Sequence, residues 1–215
     1  IATQQAARRA PARARELAAH LADPRAVVVA TGQQAGVFGG PLFTLLKAVT
    51  AIQLATKISR DHNVPAVPVF WVDAEDHDWE EIRSCTILDA EFQPKTITLP
   101  NVDGAGELPI AQLRLDDRIE ASINDLLATL PTTDFTGQIR EDIRAAYRPR
   151  AGMAEAFSTW IESILGPQGL VVSEAADPAA KPLAAPVFVR ELESPGRTAA
   201  LAASGGEKLR ARGHQ

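Results

Sequence analysis

The sequence predicts an α/β fold, a parallel-sheet core interrupted by a mainly helical insertion. Three observations carry this reading. The run Val27-Val28-Val29-Ala30 leads into a loop with four glycines and then a helical pattern opening at Pro41. About twenty residues past Lys47, a second apolar run, Val67–Val72, ends in Asp73-Ala74-Glu75-Asp76-His77-Asp78. After three helical patterns, Gly169-Leu170-Val171-Val172-Ser173 returns to strand character. Strand, helix, strand at these lengths is a βαβ unit, which implies a parallel pair and a right-handed crossover. Both loops that follow the strands then reach the same sheet edge, where open α/β sheets bind ligands.

Residues Thr3 to Leu21 are rich in Ala, Arg, Leu and Glu and read as one helix, closed by Asp23-Pro24. Arg8, Arg9, Arg13 and Arg15 read as its solvated face. Pro41 suits a first helical position, where a missing N–H costs nothing. Leu42, Leu45, Leu46, Val49 and Ile52 then keep helical spacing, so the helix runs to about Ser59. His62-Asn63-Val64-Pro65 is a loop. Ile82–Leu88 and Lys95–Leu99 alternate polar and apolar residues, as a hairpin or a short mixed segment would, and 100–109 has no period. Helices are expected over 116–129, 133–147 and 153–165, with Thr132-Thr133-Asp134 a cap for the second. Further helices are expected from Asp177-Pro178 to Leu192 and from Ser194 to Arg212. The organisation is a core of residues 1–100 and 166–215, with 101–165 inserted.

Of 215 residues, 46% are hydrophobic, enough to build a core. A net charge of −5 and a pI near 5.4 argue against a nucleic-acid-binding surface. One cysteine, Cys85, excludes an internal disulfide and fits a reducing compartment, so the expected location is cytoplasmic. No segment reads as a membrane span or as the apolar centre of a signal peptide. Opening on Ile1 and closing at Arg212-Gly213-His214-Gln215, directly after a helical pattern, the sequence reads as part of a longer protein.

Two constellations carry chemistry. In the first, Gly32, Gly36, Gly39 and Gly40 let a ligand approach the backbone closely. Gln33 and Gln34 supply amides, Thr31 and Thr44 hydroxyls, and Lys47 a charge one turn into the helix. The spacing is neither a Walker A loop nor a dinucleotide fingerprint; a structural turn that permits tight strand–helix packing is the other reading. In the second, His77 between Asp76 and Asp78 suits a general base with an orienting acid, because a neighbouring carboxylate fixes the tautomer and raises the imidazole pKa. Glu75 and Trp71 extend that loop as binding residues, and Glu80 and Glu81 follow it. A divalent cation held by these groups, or an acidic loop that only caps the next helix, are the competing readings. Arg190 and Glu191 read as a charged helix face, and His20, His62 and His214 receive no role.

At these residues the chain resembles the bacillithiol-biosynthesis cysteine-adding enzyme family, BshC. The likeness rests on Thr31-Gly32-Gln33-Gln34-x-Gly36-x-Phe38-Gly39-Gly40-Pro41-Leu42-x-Thr44-x-x-Lys47 and on Pro68-Val69-Phe70-Trp71-x-x-x-Glu75-Asp76-His77-Asp78. A weaker third match is Gly169-Leu170-Val171-Val172 with Ala185-Pro186-Val187-Phe188-x-Arg190-Glu191-Leu192. The resemblance implies a Rossmann-like core related to class I aminoacyl-tRNA synthetases and cytidylyltransferases, with connecting-peptide insertions. It implies a ligase that joins cysteine by an amide bond to the amine of glucosaminyl malate; no residue is assigned as a metal ligand. By analogy with that fold, an ATP-derived acyl intermediate with Mg-ATP is the expected co-reactant. Under this resemblance the Gly32–Gly40 loop would cradle a phosphate or carboxylate, Lys47 would add charge, and His77 with Asp76 or Asp78 would orient or deprotonate the attacking amine. A homodimer through a coiled coil further along the chain is implied as well. A nucleotidyl or acyl transferase acting on another substrate, and a non-catalytic ligand-binding fragment, are the alternatives.

Overall fold

The computed structural model describes residues 1–214; Gln215, the end of the expected last core segment, lies outside the described residues. Residues 1–176 form one compact unit, and the chain from Asp177 forms a second.

The first unit opens with α1 (Ala2–Arg8) and α2 (Ala12–Ala19), where one helix was expected. The break has a local cause. Pro11 has no N–H to give and disfavours helical backbone before it, and Arg9 ends α1 in the left-handed region at φ 56°. Then follow β1 (Val27–Gln34), α3 (Leu42–His62) and β2 (Ala66–Asp73), the expected βαβ unit. After α4 (Trp79–Ile82), β3 (Ser84–Leu88) and β4 (Pro94–Thr98) pair antiparallel as the expected hairpin. The helices α5 (Ile119–Thr129), α6 (Thr136–Ala146) and α7 (Met153–Leu165) lead to β5 (Val171–Glu174). The second unit holds α8 (Lys181–Glu193) and α9 (Arg197–Ala211).

The main sheet is parallel with order β1-β2-β5. Pro68 sits inside the central strand, where a missing donor would ordinarily break a ladder. Pairing with β5 begins only at Val69, one residue later, so the proline precedes that ladder. Val67, Val69 and Val171 bury against Leu17, Ala18 and Leu21 around α2. Phe70, Val72 and Val172 belong to the larger core, which continues through α5, α6 and α7. Phe70 meets Phe157 of α7 with ring centres 6.0 Å apart. The helical stretch is thus part of the same compact unit as the sheet.

Helix α3 lies along β1 and β2 and buries Ala48, Ala51 and Ala55, whose small side chains allow close approach. It also corrects the expectation that no segment reaches membrane-spanning length: at 21 residues and a mean hydropathy of 1.2 it passes that test. Its place as the crossover between two parallel strands accounts for the apolar composition. Leu42, Phe43 and Leu46 remain exposed on it, as do Val27 and Val28 on the outer strand β1.

Arg8 is a second correction. Its side chain is only 5% exposed: Nε donates to Glu162 at 2.9 Å, Nη1 to Glu174 at 3.0 Å and Nη2 to the Val172 carbonyl at 2.8 Å.

Candidate functional site

The parallel register brings the two motifs together. Gln34 pairs with Asp73 at the carboxyl ends of β1 and β2, so both loops leave the sheet at one edge. The first loop is held by its own backbone and by the helices beneath it. Gly36, Gly39 and Gly40 donate their N–H groups to Gln34, Gly36 and Val37 carbonyls. Trp160 of α7 donates Nε1 to the Phe38 carbonyl at 3.0 Å, and the buried Tyr147 hydroxyl reaches the Gly36 carbonyl at 3.5 Å. Phe38 (φ 53°), Gly39 and Gly40 all have positive φ, and Phe38 stacks edge-on against Tyr147 at 4.9 Å.

Each glycine except Gly40 answers a close approach. A Cβ at Gly32 would lie 2.5 Å from the Trp71 carbonyl, at Gly36 2.8 Å from Gly40 Cα, and at Gly39 3.0 Å from Trp160 Nε1. The loop's capacity for a ligand therefore rests on its side chains. Thr44 lies behind the loop, fully buried, its hydroxyl without a hydrogen-bond partner and 3.5 Å from where a Cβ at Gly40 would stand. Thr31 and Gly32 pair with Phe70 and Trp71 within the sheet.

Lys47 reaches back from α3 to the loop and opens a directional relay. Its Nζ donates to Gln33 Oε1 at 3.0 Å and to the Gly32 carbonyl at 3.5 Å, and stands 5.0 Å from the Phe43 ring centre. Gln33 Nε2 donates to Gln34 Oε1 at 2.9 Å, and Gln34 Nε2 to Glu81 Oε2 at 2.8 Å. An ammonium can only donate and a carboxylate only accept, so both amide orientations are determined by the ends of the chain. The relay joins the two motifs through Glu81, which follows the acidic loop on α4.

The acidic loop is organised by its own carboxylates. Asp76 Oδ1 accepts the N–H groups of His77 (2.6 Å) and Asp78 (3.2 Å), Asp73 accepts from Glu75 N at 3.4 Å, and Asp78 caps α4 by accepting from Glu81 N at 3.1 Å. His77 is largely exposed, with Nδ1 3.7 Å from Asp76 Oδ1. Among the described residues no trio of His, Cys, Asp or Glu is placed to hold a metal ion.

Helix α4 divides the edge into two clefts. On one side, His77, Asp76, Asp78 and Glu80 line a cleft of about 300 Å³ with Trp79 and Asn101. On the other, Gln33, Gln34, Gly36, Gly40 and Glu81 help line a cleft of about 190 Å³. These two clefts share no lining residue but adjoin at Glu80 and Glu81, neighbouring residues of α4. Trp71 is half-exposed and lines neither. Trp79 is buried, and its Nε1 donates to Asn101 at 3.1 Å, a packing role.

Sequence reading noted Glu81 after the acidic loop without giving it a role, and missed Asn101, Tyr147 and Trp160. Asp78-Trp79-Glu80-Glu81 has the spacing of a capping box and marks a helix start; nothing local signals the Gln34 contact 47 residues away. Cys85 lies beneath the loop, its Sγ 3.9 Å from the Gly40 carbonyl, and burial pushes its thiol pKa up. A maleimide should therefore label native protein at least about tenfold more slowly than urea-unfolded protein at pH 7, because the thiolate is the reactive form. Equal rates would place Cys85 in an open site.

A family model for the N-terminal Rossmann-like domain of the bacillithiol-biosynthesis protein BshC matches residues 1–215. A protein of Salinibacter ruber named "Putative cysteine ligase BshC" is 36% identical over 196 residues, covering 90% of this chain and 35% of its own length. Relatives of the same name from Heliobacterium modesticaldum and Chlorobaculum tepidum are 35% and 34% identical, over 74% and 81% of this chain. The chain spans about a third of the length of these curated relatives. With the parallel sheet, the βαβ crossover and both motif loops at one edge, the chain belongs to the BshC family and carries its N-terminal Rossmann-like domain.

Proposed function

We propose that the full protein containing this chain is a cytoplasmic ligase that joins cysteine by an amide bond to the amine of glucosaminyl malate, forming bacillithiol. The observation that carries this reading is the Gln34–Glu81 contact, which unites the two motif loops at the carboxyl edge of the sheet. The relatives' name, cysteine ligase, supports the reaction class.

The reaction needs an amine that is unprotonated when it attacks and an acyl carbon with a leaving group. His77, with Asp76 at 3.7 Å, is the group that orients or deprotonates the attacking amine in the larger cleft. Lys47 offsets negative charge near the glycine loop. Mg-ATP is the proposed activating co-reactant. The glycine loop does not fit a triphosphate cradle, because its Gly36, Gly39 and Gly40 N–H groups are committed internally. Homodimerisation through a coiled coil beyond the described residues completes the proposal.

The test is mass spectrometry of thiol products from the full-length protein supplied with glucosaminyl malate, cysteine and Mg-ATP. The wild type should form bacillithiol, and His77→Ala should reduce its rate about 10²–10⁴-fold, the usual worth of general acid–base catalysis. Equal product from both would keep the ligase and remove His77 from the chemistry. ATP consumption without a thiol product would favour a transferase with another substrate.

A further inference from the structure

We propose that Glu81 is the carboxylate that receives the ammonium group of the amino-acid substrate, in the small cleft between the glycine loop and α4. This rests on the ligase reading and adds a specificity-determining residue to it.

Charge is the first reason. Glu81 is the single ionisable side chain among the described residues lining that cleft, whose other polar groups include the Gln33 and Gln34 amides and Ser84. Nearby cations are engaged elsewhere: Arg83 pairs with Glu80 at 2.8 Å, and Lys47 donates to Gln33. An ionised carboxylate offers about four acceptor sites, and the Gln34 bond takes one of them, leaving room for the N–H groups of an ammonium. That same bond, held from its far end by Lys47, fixes where the carboxylate stands before a ligand arrives.

Size is the second. The cleft, about 190 Å³, is the smaller of the two beside α4 and has room for a small amino acid.

Proton chemistry is the third. The two amines of the reaction need opposite treatment. The acceptor amine must lose its proton to attack, whereas the α-amine of cysteine must keep its own, or one cysteine could acylate another. A neighbouring carboxylate favours the charged form of an amine. Glu81 therefore suits the amine that stays protonated, while His77, across α4, faces the other cleft.

The test uses full-length protein and the variant Glu81→Gln. That change retains an oxygen to accept from Gln34 and leaves the Asp78 cap, which uses the backbone N–H of residue 81, intact. Binding of L-cysteine and of 3-mercaptopropionate, which lacks the amine, is measured by calorimetry beside steady-state turnover. Wild type should prefer cysteine by at least about tenfold, as befits a hydrogen-bonded charge. Glu81→Gln should erase that preference and raise the KM for cysteine about tenfold, with kcat and the KM for glucosaminyl malate nearly unchanged. An unaltered preference in a folded Glu81→Gln protein, or no preference in the wild type, overturns the proposal. The ligase reading fails separately, when wild type binds cysteine with that preference and forms no cysteinyl product.

Discussion

Replacing Arg8 with alanine is expected to destabilise the 1–176 unit by about 3–5 kcal/mol, the usual cost of breaking a buried ion pair by removing one partner. Glu162 is 2% exposed, and without Arg8 its carboxylate stays buried with its charge uncompensated. Glu174, at 23% exposure, can turn to water and should contribute less. The guanidinium also satisfies the Val172 carbonyl on β5, so its loss opens the strand that ends the sheet. Gln4 reinforces the same join, its amide accepting from Glu174 N at 3.0 Å and donating to Glu174 O at 3.3 Å. Urea unfolding of the single variant should show a lower midpoint with an unchanged slope. Replacing both members, Arg8→Met with Glu162→Met, should recover most of the loss, because apolar side chains of similar volume often match a buried pair. A cost below about 1 kcal/mol for Arg8→Ala would mean that the pair behaves as a surface contact.

That ion pair also shows what the sequence could and could not disclose. Strands β1 and β2 and helix α3 were legible because valine runs, a loop of glycines and Pro41 punctuate them locally. The hairpin at 84–98 was legible from alternation. The break at Pro11 was written in the chain as well, and the surrounding Ala, Arg and Leu residues outweighed it. Arg8 was not legible at all: its partner Glu162 lies 154 residues away, and a run of arginines on a helix looks the same whether one of them is buried or none.

The site divides along the same line. Which loops reach the edge follows from topology alone, and the sequence shows it. Glycines signal that something approaches closely, without saying what. Here Gly32, Gly36 and Gly39 answer to the Trp71 carbonyl, Gly40 and Trp160, all parts of the fold, so the approaching bodies are protein rather than ligand. The acidic loop divides its labour similarly. Asp76 and Asp78 order backbone around His77, and the carboxylate turned into the glycine-loop cleft is Glu81, one turn later.

Trp160→Ala is expected to have the other large effect, and it separates packing from hydrogen bonding at the glycine loop. Truncating a buried tryptophan typically costs 3–5 kcal/mol through lost transfer energy and the cavity left behind. Trp160 is 7% exposed, and its indole nitrogen also holds the Phe38 carbonyl. Phe38 is a non-glycine residue at φ 53°, a conformation that costs free energy and persists only while its surroundings enforce it. Without the indole, Phe38 should relax toward negative φ, the Gly36–Gly40 turn should open, and Gln33 and Gln34 should lose their alignment between Lys47 and Glu81. Trp160→Phe keeps most of the volume and removes only the donor, so its stability cost should be near 1 kcal/mol. If the hydrogen bond positions the relay, Trp160→Phe should still weaken cysteine binding by several-fold while the fold stays intact. If Trp160→Phe binds cysteine as wild type does and Trp160→Ala loses binding only in proportion to unfolding, the tryptophan serves the core, and the loop keeps its shape through Tyr147 and its own backbone bonds.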